Sequence, residues 1–345
     1  MFSFVEKTLL FLLSAICVYA NEADRVNFVA KSFERSLIAG NGAYGGVCVV
    51  ANGQTLLAKT FVNGALKKGD KVPDVSNRAF PLGKTSWAIM SLAAESMSYN
   101  GKIDLNIPAS QICSLFAAPE GAEKTTTLAN MLSMRAGFDS SADKLMPVNT
   151  KLDEFFGVVA QTQIVRADGR DTEYSAICAA SAGYVMAYAH KKNPRGLKKA
   201  FVNCVEKYLF KPLNIDARYC AYETALFPAN AFALTITDCS KWLEAETSAS
   251  TKIALPEKIS SRRISMSECR YGAGWLNTTL DGLSVQMIGG YFQNCANIVA
   301  VFPSLKMAVG IFAVGNSKDA PKICAATLQE FSRLYSPEKQ KNFTK

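Results

Sequence analysis

Phe80-Pro81-Leu82-Gly83-Lys84-Thr85-Ser86-Trp87 is the stretch on which the reading of this 345-residue chain turns. From Lys84 to Tyr99 the apolar residues Trp87, Ile89, Met90, Leu92, Ala93, Ala94 and Met97 recur at three- and four-residue spacing. That spacing predicts a helix with a wide buried face. Asn100-Gly101 then supplies a left-handed cap, so the helix stops there. Upstream, Gly45 to Val50 and Thr55 to Phe61 read as two strands, since Asn52-Gly53 between them provides the positive φ angles of a tight hairpin turn. Two strands therefore precede a buried helix that begins just after Gly83. Such a helix start is where many enzymes place a nucleophile, because its free N–H groups and dipole favour developing negative charge.

Phe80-Pro81-Leu82-Gly83, with the order of the segments downstream of it, resembles the serine β-lactamase and penicillin-binding-protein family, particularly its class C and D-aminopeptidase-like branch. These four residues look like the family's lead into its Ser-x-x-Lys motif, and Asn100-Gly101-Lys102-Ile103-Asp104-Leu105 is similar to the family's next segment. Thr126 to Phe138 resembles the T-I-R-H-L-L-T-H-T-S-G-L signature, and Tyr174-Ser175-Ala176 falls where Tyr-x-Asn belongs. Glu206 to Leu213, Asp238 to Leu243 and Tyr271-Gly272-Ala273-Gly274-Trp275 also look like family landmarks, and Ile288-Gly289-Gly290 occupies the His-Gly-Gly position. The resemblance implies an α+β fold, with an antiparallel sheet flanked by helices and a mostly helical inserted subdomain. It concerns the scaffold and does not by itself carry an activity.

The departures from the pattern bear on chemistry. In this register Lys84 stands where the nucleophilic serine belongs, and Trp87 where the lysine that activates it belongs. Tyr174 is kept, but Ala176 replaces the asparagine that would bind a substrate amide, and Ile288 replaces the polar residue of the last motif. An acyl enzyme needs a hydroxyl or thiol activated by a neighbouring base, and loss of the nucleophile costs on the order of a millionfold in rate. Ser86 does not rescue the motif, because it is two residues from Lys84 and so on another helix face. Ser-x-x-Lys strings at Ser141–Lys144 and Ser336–Lys339 lie in a polar segment and a charged tail, where chance accounts for them. The one histidine, His190, precedes Lys191 and Lys192 and reads as the end of a helix entering a solvated basic loop. Two readings of the altered site stand side by side. In one, an unused pocket has drifted and Trp87 fills the hole. In the other, Lys84, Ser86, Trp87, Tyr174, Gly289 and Gly290 line a reshaped pocket, with Lys84 as an anion contact and Tyr174 as a hydrogen-bonding handle.

Organisation and composition frame these residues. Residues 1–20 read as a signal peptide, with Lys7 ahead of the apolar run Thr8 to Leu13 and Val18-Tyr19-Ala20 as a cleavage site; a retained anchor is the competing reading. The domain is expected over 21–335, its sheet part over about 21–85 and 266–335, its helical part over about 86–265, and a polar tail over 336–345. A helix around Asp24 to Leu37, the hairpin, and strands near 271–277, 283–291, 297–302 and 307–314 are expected to form one antiparallel sheet, closed by a helix over Pro321 to Leu334. No later segment reads as transmembrane, and no cofactor, metal site or nucleic-acid module is expected. Removal of the leader, which contains Cys17, leaves nine of ten cysteines, and export permits disulfides among them, although Cys48 and Cys178 could equally be small buried residues. Asn277-Thr278-Thr279, placed at a hairpin turn ending in Asp281-Gly282, and Asn342-Phe343-Thr344 fit the N-glycosylation pattern. The net charge of +9 suits anionic surfaces, glycans or acidic partners, but the lysines are dispersed. The favoured reading is a secreted pseudoenzyme that binds a small molecule, glycan or protein. The alternatives are a serine hydrolase of esters, amides or D-amino-acid peptides with a displaced nucleophile such as Ser86, and a self-assembling structural protein.

Overall fold

Strand β1 (Tyr44–Ala51) is apolar along almost its whole length because it lies inside a sheet with a hydrophobic core on each side. The computed structural model describes residues 4–63, 74–140, 150–165, 174–192, 196–220, 225–248 and 271–337. Val47 and Val49 belong to one core and Cys48 and Val50 to the other, as the two-residue period of a strand requires. Asn52 (φ 50°) and Gly53 (φ 74°) turn the chain into β2 (Gln54–Val62) as a two-residue hairpin. The remaining strands of the sheet are β6 (Tyr271–Gly272), β7 (Trp275–Leu280), β8 (Leu283–Phe292), β9 (Cys295–Phe302) and β10 (Met307–Val314). Their order is β2-β1-β10-β9-β8-β7-β6, with every pairing antiparallel.

One face of the sheet is covered by the terminal helices α1 (Phe4–Ala39) and α10 (Asp319–Tyr335). Val26, Val29, Phe33 and Leu37 form a stripe at helical spacing that meets Ile323, Leu328 and Phe331. The expected start of α1 at Asp24 is not a boundary. Nothing between Phe4 and Ala39 is glycine or proline, and the helix continues back to Phe4.

The other face carries α2 (Ser86–Tyr99), α3 (Ala109–Ile112), α4 (Leu128–Leu132), α5 (Leu152–Ala160), α6 (Ala176–His190), α7 (Leu197–Val205), α8 (Lys211–Leu213) and α9 (Ile236–Thr247). They share one core with Cys48, Ile288 and Phe312 of the sheet. Helix α2 ends as Asn100-Gly101 predicts. Gly101 has φ 66°, its N–H donates to Ser98 O and the Lys102 N–H donates to Met97 O, which together satisfy the last carbonyls. Among these helices a small sheet, β3 (Phe80–Pro81), β5 (Phe232–Leu234) and β4 (Arg218–Tyr219), was not foreseen, because two- and three-residue strands leave no periodicity to read.

Three expectations need correction. The strand placed over 271–277 is two strands, since Ala273 (φ 44°) and Gly274 (φ 88°) reverse the chain between β6 and β7. Asn277 is not at a turn. The turn is Asp281-Gly282 alone, and Asn277 lies half-buried within β7, where its Oδ1 accepts from Gln286 Nε2 at 3.3 Å. No disulfide links the eight cysteines whose side chains are described, and all eight are buried. They serve as small apolar residues. Asn342 lies outside the described residues, as do Ser141–Lys144. Among the described residues no helix is long and apolar enough to cross a membrane, and no cluster of three or more His, Cys, Asp or Glu could hold a metal ion.

The tight approach of β1 to its neighbours gives a direct test. A Cβ on Gly45 would lie 2.2 Å from Phe312 O and 2.6 Å from Phe33 Cζ. Gly45→Ala is expected to destabilise the protein by roughly 2 kcal/mol or more, read as a lowered Tm. An unchanged Tm would show that β1 and β10 are not packed this closely.

Candidate functional site

The start of α2 is held against the sheet by one side chain that the sequence reading passed over. Asn297 stands in the middle of the apolar strand β9 and is 1% exposed. Its Oδ1 accepts from Thr85 Oγ1 at 2.6 Å, and its Nδ2 donates to Pro81 O at 3.2 Å and Leu82 O at 3.1 Å. Both hydrogens and the carbonyl are thereby used, as burial demands. Gly290, opposite Asn297 on β8, completes the contact. A Cβ there would fall 2.2 Å from Leu82 O, so only glycine lets β8 lie on this segment. Gly83 turns the chain with φ 54°, and a short 3-10 turn over Gly83–Thr85 leads into the helix. The signal that could have exposed Asn297 is visible in Cys295-Ala296-Asn297-Ile298-Val299: a lone carboxamide in a run of buried residues has to be bonded.

The structure brings three of the singled-out residues into one group. Lys84 is exposed, and its Nζ sits 4.4 Å from the centroid of the Tyr174 ring, a cation–π distance. Trp87, one turn further along the same face, is 1% exposed and meets Tyr174 edge-on at 5.8 Å. The other neighbour of Trp87 is Tyr271, also at 5.8 Å, which the sequence reading noted only as a landmark. Trp87 Nε1 and Ser91 Oγ on the next turn are both buried without a hydrogen-bond partner among the described residues. The β6–β7 turn presses on the same helix, since a Cβ on Gly274 would lie 2.6 Å from Ala88 Cα and 2.8 Å from Ser91 Oγ.

The other expected residues take separate places. Ser86 is fully buried, and its Oγ accepts from the Phe232 N–H at 3.2 Å, stitching α2 to β5. Ala176 is the buried first residue of α6, whose N-cap Ser175 accepts from the Cys178 N–H at 3.3 Å. Ile288 is buried in the core that also holds Trp87, while Gly289 is exposed on the opposite side of β8. His190 is the last residue of α6 and stacks edge-on against Tyr208 at 5.7 Å, outside the Lys84 group.

No protein-family model and no curated protein matches the sequence. Solved structures do match the fold. SurE superposes with a TM-score of 0.70 at 17% identity, over 91% of this chain and 77% of its own. The octameric penicillin-binding protein homologue from Pyrococcus abyssi gives 0.68 at 15% identity, over 91% and 78%. The class C β-lactamase from Rhodobacter sphaeroides gives 0.67 at 14% identity, over 90% of this chain and all of its own. The chain thus has the α+β fold of the β-lactamases and penicillin-binding proteins, as its motif order implied.

Two measurements test the local physics. Asn297→Leu removes three bonds and leaves the Thr85 hydroxyl and two carbonyls buried, so a loss on the order of 3 kcal/mol is expected in urea unfolding. A loss below about 1 kcal/mol would mean that water replaces the carboxamide. The second concerns His190, whose imidazole is lowered below its ordinary value of 6.5 by burial first and then by the Lys207 and Lys191 ammonium groups. The unfolded chain then takes up this proton more readily than the folded one. The contribution is fully present above the unfolded value of about 6.5 and is lost as pH falls below it toward the folded-state value. His190→Gln is expected to flatten the decline in stability between about pH 7 and 5, and an unaltered decline would assign it to other groups.

Proposed function

We propose that this chain is a pseudoenzyme of β-lactamase-like fold that acts by binding, through its altered cleft or its surface, rather than by acyl transfer. The observation that carries the reading is the pair at the head of α2: an exposed ammonium, Lys84, and a buried indole, Trp87, at the two positions that the motif order assigns to nucleophile and base. Neither can do the work of an activated hydroxyl. Ser86 gives the hydrolase alternative no support, because its Oγ is enclosed and already accepts from the Phe232 amide. Self-assembly through an exposed thiol is likewise unsupported, since the eight cysteines whose side chains are described are all buried.

The proposal includes export, with residues 1–20 as the signal peptide. The partner is a small molecule, a glycan or a protein, and no cofactor is required for this role.

Intact-mass spectrometry of the mature protein after exposure to a fluorophosphonate and to a penicillin tests the reading. No adduct on folded protein is expected, and the same mass reports whether residues 1–20 are gone and whether Asn277 carries glycan. A stoichiometric adduct mapped to one serine would overturn the pseudoenzyme reading and make this a hydrolase with a displaced nucleophile.

A further inference from the structure

A second feature lies across the sheet from the Lys84, Tyr174 and Trp87 group. Helices α1 and α10, packed side by side on the far face, leave between them a groove of about 580 Å³, within the size range of small-molecule sites. It is built from matching faces of the two helices: Phe28, Ser32, Arg35 and Ser36 on one, Gln329 and Arg333 on the other. The apolar part is Phe28, which is 39% exposed although it is a large ring at the edge of a core. The Arg35 guanidinium lies over that ring at 5.6 Å. Ser32 is only 4% exposed and makes no side-chain hydrogen bond among the described residues.

Charge decides the class of ligand. Arg333 pairs with Glu330, another lining residue, at 3.6 Å, which leaves the groove with two guanidiniums and one carboxylate. That balance suits a single negative charge and disfavours a dianion such as a phosphate monoester. Gln329 is engaged elsewhere, its Nε2 donating to Asp281 at 2.8 Å. We propose that this groove is a binding site for an organic monoanion with an apolar acyl or aryl body, the body lying on Phe28 and the acidic group reaching Arg35, Arg333 and the Ser32 hydroxyl. Arginine is the residue for such a contact because its planar fork gives two parallel bonds to a carboxylate or sulfonate.

Fluorescence titration with 8-anilinonaphthalene-1-sulfonate tests the site, with decanoate and decyltrimethylammonium as competitors. Saturable binding at one site is expected, displaced by decanoate and not by the cation. Arg35→Ala and Arg333→Ala, each checked for folding by circular dichroism, should weaken binding about tenfold or more. Lys84→Ala, in the cleft, should change it less than about twofold. Absence of saturable binding, equal affinity in the arginine variants, or loss of binding in Lys84→Ala would each overturn the proposal. None of these outcomes depends on whether the cleft is catalytic.

Discussion

Asn297 is the interaction on which the geometry at the start of α2 depends. A single carboxamide, buried in the apolar strand β9, fixes two main-chain carbonyls and the Thr85 hydroxyl at once. In the low dielectric of the core each bond is strengthened and each unmade bond is costly, so the arrangement has one stable solution. That solution sets where the chain leaves β3 and where α2 begins. Gly290 then permits β8 to lie directly on Leu82, which no other residue could allow without moving the backbone. The position of the helix start is thus held by Asn297 and Gly290 rather than by Lys84.

This separation of scaffold from occupant explains how Lys84 and Trp87 can sit at the head of α2 without disturbing the fold. Burying an indole removes about 150–250 Å² from water, worth roughly 4–6 kcal/mol at about 25 cal/mol per Å². The unpartnered Nε1–H costs about 1–3 kcal/mol, so burial wins. An edge-on contact with Tyr174 and a tilted one with Tyr271 add to it. Trp87 therefore stabilises the junction between helices and sheet by filling it. The Lys84 ammonium, kept at the surface over Tyr174, avoids the desolvation that a buried lysine would suffer.

Much of the fold was legible because its signals are local. Asn52-Gly53 specifies a hairpin wherever it stands between two apolar runs, and Asn100-Gly101 ends a helix by its backbone preference alone. The strands β8, β9 and β10 are long enough for their composition to show. What escaped was set by tertiary contact or by brevity. The break at Ala273-Gly274 depends on packing against Ala88 and Ser91 of α2, which no window around residue 273 contains. The small sheet of β3, β4 and β5 is too short to announce itself. At the site, Lys84, Trp87 and Tyr174 were brought together by motif order, but Asn297 and Tyr271 reach the group only through the fold. The extent of α1 illustrates the opposite limit, since the sequence held no breaker at the boundary that a processing signal suggested.

The buried thiols bear on how the described cysteines stay reduced. A chain of this length buries enough apolar surface to be stable without cross-links, so disulfides are not needed for folding. Burial also removes the reactive form. The Cys204 thiol is pushed up to about 12, and the Cys295 thiol likewise to about 12, chiefly by desolvation. At pH 7 such a group stays a thiol, whereas the thiolate is the form that reacts with oxidants and attacks disulfides. Cys48 and Cys239 touch within the core, where a hydrogen bond to Cys48 and the proximity of Asp238 raise the Cys239 thiol further beyond the effect of burial. The core that supplies stability thus also holds the eight described thiols away from solvent.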